Sequence, residues 1–169
     1  TELDLPDGVT SIGNSAFLNC SAMKSIDLGN SLLTVGSEAF KGCTSLTELD
    51  LPNTVETIKY SAFENCTNLA SFSYPANLKT VDYGYGTGIF TGCTALKTIA
   101  VPEGVTALPD NVFYMAKNLE SVSLPSSLQF IEENAFLSCG ALAEVSLPGN
   151  LKTIGQNAFS NCDSLERIT

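Results

Sequence analysis

The sequence contains no histidine and no tryptophan. Histidine is the commonest general base of enzymes, so none of the serines in the chain has the partner that usually activates a serine nucleophile. No glycine-rich phosphate loop and no strand-to-helix nucleophile turn is found either. We therefore expect no catalytic residue and no cofactor, and we expect that the protein is not an enzyme.

Basic residues are scarce, since 8 lysines and arginines stand against 18 aspartates and glutamates, for a net charge of -10. A polyanion would be repelled by this charge, which argues against nucleic acid and anionic membrane surfaces as partners. Long apolar runs are also missing, because no stretch approaches the roughly 18 residues of a membrane span. The opening "TELDLP" lacks the basic and apolar regions of a signal peptide. We expect neither nucleic-acid binding nor membrane insertion.

Phenylalanine recurs along the chain at a fixed period, which marks an internal repeat. One complete unit, residues 46–68, reads "LTELDLPNTVETIKYSAFENCTN". In its first half Leu49 and Leu51 alternate with acidic residues, which is the pattern of a half-buried strand, and Pro52 ends that strand. The repeating positions are Phe17, Phe40, Phe63, Phe90, Phe113, Phe136 and Phe159, separated by 23, 23, 27, 23, 23 and 23 residues.

The second half of the unit returns the chain to its starting side. Val55 and Ile58 point back into the coil, and Ala62, Phe63 and Cys66 lie at spacings of three and four that suit one short helical or 3₁₀ turn. One repeat cannot bury its own apolar side, so neighbouring units stack and share a continuous core. The sequence predicts a single solenoid domain over residues 1–169, with about seven turns and a length of roughly 34 Å.

The pattern LxLPxx(L/V)xxI(G)xxAFxxCxxLxxI resembles the BspA-like leucine-rich repeats over essentially the whole chain. The resemblance implies an α/β repeat fold: a right-handed leucine-rich-repeat solenoid with a parallel β-sheet on the concave face. Short strands and 3₁₀ or helical turns would form its other sides. It also implies a bacterial or protist protein that is secreted or attached to the cell surface and that adheres to host proteins, including extracellular-matrix proteins.

Six cysteines hold one and the same repeat position, which predicts that each points into the coil. A buried position suits a small apolar thiol, and Ala116 fills the equivalent place in repeat five. Parallel stacked side chains have the wrong mutual direction for a disulfide, and zinc is disfavoured without a CxxC pair or histidine. We expect free thiols at Cys20, Cys43, Cys66, Cys93, Cys139 and Cys162.

Three aspartates share one exposed position in the first three repeats, namely Asp4, Asp27 and Asp50, with Glu48 close by. They should project in register from the exposed sheet face, where like charges directly opposite each other are mildly destabilising. This acidic column predicts a binding site for a basic partner or a cation such as Ca²⁺. The alternative is a solvated acidic face with counterions. The same position then turns small and neutral, at Ser73, Ala100, Ser123 and Ser146.

The longer repeat contains the stretch "VDYGYGTGIF", whose excess of four residues lies within residues 83–88. Its glycines predict a sharp outward turn and a solvent-facing bulge, because insertions are tolerated at exposed loops. Tyr83 and Tyr85 would provide contact area at low entropic cost, so we expect a recognition loop here. The alternative is a tolerated insertion without a role.

Two functions from different classes remain open at this point. The first is a protein-binding module of a secreted or surface protein, which binds through its exposed sheet face or its longer repeat. The second is a structural spacer with no ligand of its own. The chain begins and stops in mid-repeat without polar capping units, so we expect a piece of a longer protein or ends that pack on other chains.

Overall fold

The computed structural model describes residues 2–84 and 86–169. Each repeat supplies one strand of three or two residues before the proline corner and a second strand of two residues after it. In chain order the strands are β1 (Glu2–Asp4), β2 (Ser11–Ile12), β3 (Ser25–Asp27), β4 (Thr34–Val35), β5 (Glu48–Asp50), β6 (Thr57–Ile58), β7 (Ser71–Ser73), β8 (Thr80–Val81), β9 (Thr98–Ala100), β10 (Ala107–Leu108), β11 (Ser121–Ser123), β12 (Phe130–Ile131), β13 (Glu144–Val145), β14 (Thr153–Ile154) and β15 (Arg167–Ile168).

The strands pair in parallel with their equivalents in neighbouring repeats. On one side of the coil β1 pairs with β3, β5 with β7, β9 with β11 and β13 with β15. On a second side β2, β4, β6 and β8 form one sheet, and β10, β12 and β14 form another. The register keeps equivalent residues together, so that Asp4 lies opposite Asp27 and Ile58 opposite Val81. The predicted leucine-rich-repeat solenoid of about seven turns is confirmed.

The core is a set of columns that run along the stack. In each strand the middle or last residue points inward, as Leu49 and Ile58 do, and both are fully or almost fully buried. The phenylalanine rings form one column, in which Phe113 lies 5.1 Å from Phe136 and Phe136 lies 5.0 Å from Phe159 between ring centroids. Each turn therefore buries its apolar side only because its neighbours cover it.

The segment that carries Ala-Phe differs from the predicted helical or 3₁₀ turn, since the described residues contain no helix. Ser61 and Asn65 have positive φ values of 54° and 59°, which a continuous right-handed helix does not allow. The amides of this segment point alternately along the chain and along the stack. Glu64 N donates to Ser61 O at 3.0 Å, whereas Phe63 N and Asn65 N donate to the next turn at 3.1 and 2.8 Å.

The cysteine thiols are free, and the prediction of free thiols is confirmed. From the second turn on, every cysteine thiol donates a hydrogen bond to the phenylalanine carbonyl of the preceding turn, as Cys66 Sγ does to Phe40 O at 3.1 Å. Cys20 is exposed because no turn of the described chain precedes it, and Cys162 is half-buried near the other end. The thiol thus adds a small polar link to an otherwise apolar column.

The turns follow the repeat: turn 1 ends at residue 22, turn 2 is residues 23–45, turn 3 46–68, turn 4 69–95, turn 5 96–118, turn 6 119–141 and turn 7 142–164. The stack is interrupted between turn 4 and turn 5. Strands β8 and β10 belong to different sheets, and no Cα atom of β8 lies within 8 Å of one in β10. Across the described residues no hydrogen bond joins the backbones of these two turns, apart from the local turn where the chain passes from one to the other. We call this place the turn 4–5 junction.

Two features of the sequence account for the interruption. The four-residue insertion lengthens turn 4, so 27 residues separate β8 from β10 where 23 separate β6 from β8. In other turns the residue after the second strand donates its N–H to the preceding turn, as Lys59 does to Val35 at 2.9 Å and Glu132 does to Leu108 at 3.0 Å. Pro109 holds this position in turn 5 and has no N–H to donate.

Candidate binding surfaces

The described residues on either side of position 85 in the insertion lie on the neighbouring repeats. Gly84 and Thr87 form an antiparallel bridge, in which Thr87 N donates to Gly84 O at 2.9 Å. Gly86 has a φ of 83°, a left-handed conformation that glycine adopts without strain. The hydroxyl of Thr87 lies 2.7 Å from that of Ser61 in turn 3, so the loop is tied back to the stack.

Tyrosines from the adjacent turns hold the insertion on both sides. Gly84 is buried against the ring of Tyr60 so closely that an added Cβ would lie 2.5 Å from its Cγ atom. Gly88 is buried against the backbone carbonyl of Tyr114, where an added Cβ would overlap the oxygen. The insertion is therefore flatter than the predicted outward bulge, and its glycines serve close packing as well as turning.

Tyrosine side chains from turns 3, 4 and 5 surround the insertion, and two of them are in contact with each other. The rings of Tyr83 and Tyr114 meet edge to face, with 5.2 Å between centroids. Burial and the interaction with the Tyr83 hydroxyl raise the pKa of Tyr114 above its usual range. Tyr83 is 57% exposed and Tyr60 is 37% exposed, and these are the exposed aromatic side chains of the described part of the chain. Tyr85, the second tyrosine predicted to take part in recognition, lies outside the described residues.

The acidic column lies where the sequence predicts it, on the outer face of strands β1, β3 and β5. Asp4 lies directly opposite Asp27, and Asp50 lies opposite Ser73 in the next strand pair. All three aspartates and Glu48 are exposed. A shallow cavity of about 340 Å³ is lined by Asp4, Asp27 and Asp50 together with Ser25, Ile26 and Leu28.

The carboxylates of this column are spread along the stack and bonded locally. Asp27 accepts a hydrogen bond from Gly29 N at 2.9 Å, and Asp50 accepts one from the Ser73 hydroxyl at 2.5 Å. Among residues 2–84 and 86–169 no group of three or more acidic, cysteine or histidine side chains converges in a way that could hold a metal ion. The column therefore offers a row of single charges, which suits a basic protein segment better than a coordinated cation.

Sequence reasoning found the insertion but missed the residues that hold it. Tyr60 and Tyr114 look like ordinary variation at exposed repeat positions, because Asp110 and Glu64 fill the same positions in other turns. An alignment of the repeats could have identified them, since tyrosine occurs at these two positions only in the turns on either side of the insertion. Pro109 was missed in the same way, because its effect depends on the donor that every equivalent residue supplies.

A family model described as "BspA type Leucine rich repeat region (6 copies)" matches residues 1–85 and 84–169. No curated protein matches the chain. Nothing in the described residues forms a helix that is long and apolar enough to cross a membrane.

Solved structures of bacterial leucine-rich-repeat proteins are similar to this chain. A leucine-rich cell surface protein from Faecalibacterium prausnitzii A2-165 is 32% identical with a TM-score of 0.70, and the alignment covers 99% of this chain and 47% of that one. The T. pallidum leucine-rich repeat protein is 26% identical with a TM-score of 0.77, covering 98% and 78%. A protein from Eubacterium ventriosum is 28% identical with a TM-score of 0.70, covering 95% and 42%. The chain spans about half the length of the F. prausnitzii protein.

Proposed function

Since the chain belongs to the BspA-type leucine-rich-repeat family, we propose that it is a non-enzymatic protein-binding module of a secreted or cell-surface protein. Its ligand is a protein, and host extracellular-matrix proteins are the class to test first. The cell-surface description of the F. prausnitzii protein supports this location. The net charge of -10 supports a protein partner over nucleic acid.

The set of tyrosines around the insertion is the observation that carries the proposal. A surface made mainly of serine, threonine and charged residues would suffice for a spacer, which needs only solubility. Here the rings of Tyr83 and Tyr114 meet at the surface, and Tyr60 packs on Gly84 at the other side of the insertion. Rigid aromatic side chains at a surface supply contact area with little loss of conformational entropy, and they are enriched at binding hot spots.

The acidic column supplies a second contact for the same kind of partner. Its exposed aspartates lie in adjacent strands, where their mutual repulsion disfavours the folded state slightly. A basic segment of a ligand would relieve that repulsion and would be attracted over a longer range than the tyrosines can act. We infer that the column steers a basic partner toward the module, and that its contribution falls with rising salt.

A binding screen tests the proposed function. The recombinant chain is immobilised and exposed to a panel of purified extracellular-matrix proteins, and saturable binding of at least one is expected. Replacing Tyr83 and Tyr85 by alanine should weaken that binding at least tenfold, which is the loss of about 1.4 kcal/mol of binding free energy. Leu33→Ala is the matched control, because Leu33 is also apolar and 44% exposed but lies in turn 2.

The same screen distinguishes a binding module from a structural spacer. A spacer would show no saturable binding to any protein of the panel. If a ligand binds but Tyr83→Ala/Tyr85→Ala has the affinity of Leu33→Ala, the insertion is not part of the binding site. Circular dichroism and thermal unfolding of each variant confirm that the solenoid is intact, which is expected because Tyr83 is exposed.

A further inference from the structure

The turn 4–5 junction contains a groove that the repeat pattern does not require. It has a volume of about 440 Å³ and lies beside the second strands, between residues 76–79 of turn 4 and residues 104–107 of turn 5. Its apolar lining comes from Leu78 and Val105, which are almost fully buried, and from Ala76, Ala107 and Pro109. Lys79 and Glu132 stand at its rim. The groove is thus a wedge-shaped opening into the side of the stack.

Both walls of the groove carry backbone groups that lack the usual hydrogen-bond partner in the neighbouring turn. At the turn 5–6 boundary Gln129 N and Phe130 N donate to Thr106 O at 2.8 and 3.1 Å. The equivalent donors at the turn 4–5 junction are Thr106 N and Ala107 N, and the equivalent acceptor is Lys79 O. No hydrogen bond joins these groups within the described ranges.

The exposure of β8 agrees with an open edge. Thr80 is exposed, whereas Thr34 and Thr57, its equivalents in β4 and β6, are half-buried between paired strands. Thr153 in β14, the last strand of its sheet, is also exposed. Strand β8 lies in the middle of the stack but is as exposed as a terminal strand. An unpaired strand edge of this kind can pair with another strand.

The opening is wider than the spacing of two paired strands. Neighbouring strands lie about 4.8 Å apart, so two strands with a third between them are separated by about 9.6 Å. The Cα atoms of β8 and β10 are more than 8 Å apart. Deeper in the coil the stack stays closed, because the rings of Phe90 and Phe113 are 6.5 Å apart between centroids. The wedge thus admits an extended backbone at the surface and excludes it from the core.

We propose that this groove binds an extended peptide segment of a partner protein, which adds one parallel β-strand between β8 and β10. The proposal rests on the proposed function, because it names the form in which a protein ligand is recognised. Backbone pairing with both edges supplies the binding contacts, as in β-strand addition at other sheet edges. An aliphatic side chain of the segment points inward between Leu78 and Val105, as Val81 and Leu108 do in their own strands.

The rim of the groove favours a neutral or basic segment. The Lys79 ammonium is already paired with Glu56 at 2.7 Å, and Glu132 makes no ion pair with another described residue. Together with the net charge of -10, this leaves an acidic rim that repels acidic segments. A sequence that resembles the chain's own second strands, with one lysine and one isoleucine, meets these requirements.

The test uses a fluorescent synthetic peptide with the sequence of residues 150–155, NLKTIG, which contains β14. Fluorescence anisotropy should show saturable binding to the chain below about 1 mM. Hydrogen exchange of the Thr106 and Ala107 amides should slow at least tenfold when the peptide is bound. A peptide with proline in place of the threonine lacks one donor and should bind at least tenfold more weakly.

The matched variant closes the groove by restoring the regular repeat. It deletes residues 84–87 and replaces Pro109 by glutamate, the residue at the equivalent place in turn 6. This variant should lose peptide binding at least tenfold, and its Thr106 and Ala107 amides should already exchange as slowly as those of Gln129 and Phe130.

Four results would overturn the proposal. They are no saturable binding of the peptide, equal binding to the closed variant, protection that lies away from residues 104–108, and self-association of the chain that the closed variant abolishes. The last result, measured by sedimentation velocity, would make a second copy the occupant. A matrix protein that binds the unmodified chain, while the peptide shows no saturable binding, would leave the proposed function standing and refute the groove.

Discussion

Replacing Phe136 by alanine should destabilise turns 5–7 without destabilising turns 1–4. Phe136 is fully buried between Phe113 and Phe159, so its truncation should cost about 3–5 kcal/mol. In an uninterrupted solenoid this loss is shared with neighbouring turns through their interfaces. The turn 4–5 junction lacks the inter-turn backbone bonds found elsewhere, each of which contributes about 0.5–1.5 kcal/mol. We therefore expect the loss to stop at the junction.

Native-state hydrogen exchange measures this directly, because it reports the opening free energy of each amide. In Phe136→Ala the amides of Gln129 and Glu132 should lose about 3–5 kcal/mol of protection, and those of Glu56 and Lys59 should keep theirs. Phe40→Ala is the mirror control, since Phe40 is equally buried in turn 2 and should affect only turns 1–4. Equal losses on both sides of the junction in either variant would show that the stack is one cooperative unit and would refute the reasoning.

Three further perturbations test other parts of the structure. Gly84→Ala places a methyl group against the Tyr60 ring and should lower stability by about 1–3 kcal/mol in thermal unfolding, whereas Gly140→Ala, which meets open space, should not. Burial raises the pKa of Cys43 to about 11 and of Cys93 to about 12. The free energy of unfolding should therefore be unaffected by these thiols below pH 9, and it should fall above pH 9 because the thiols ionise in the unfolded chain. In urea unfolding the loss of stability at pH 10 should be smaller in Cys43→Ala/Cys93→Ala by about 1 kcal/mol per replaced thiol, because Cys66, Cys139 and Cys162 remain, and a loss equal to that of the unmodified chain would contradict this cause. Asp27→Asn with Asp50→Asn should stabilise the fold by about 0.2–1 kcal/mol at low salt and by less at 1 M salt, and an unchanged or lowered stability would show that the column is not repulsive.

The solenoid was predictable from the sequence because every repeat has the same pattern of apolar, polar and proline positions. Leu49 and Leu51 alternate with exposed acids, Pro52 lacks a donor at the corner, and Phe63 recurs at a period that only stacking can bury. Seven repetitions of one pattern remove the ambiguity that a single short apolar run would leave. For the same reason the acidic column was placed correctly, since the register of equivalent residues follows from the period.

The turn segments and the junction were not predictable from spacing alone. A spacing of three and four between Ala62, Phe63 and Cys66 suits a helical turn, but the positive φ values of Ser61 and Asn65 redirect alternate amides to the next turn. With these dihedrals, alternate amides form hydrogen bonds with the next turn instead of the local bonds of a helix. The junction depends on the combined effect of the insertion and Pro109, and each of them alone resembles tolerated variation.

A hydrogen-exchange footprint of the chain bound to a matrix protein from the panel tests the central claim most directly. The claim is that ligand binding takes place where the repeat is interrupted, at the insertion and the turn 4–5 junction. We predict protection of residues 82–88 or 104–108, together with Tyr114, and little change in the backbone amides of the turns that are fully paired. Protection confined to turns 1–2 or 6–7, with residues 82–88 and 104–108 unchanged, would contradict the account.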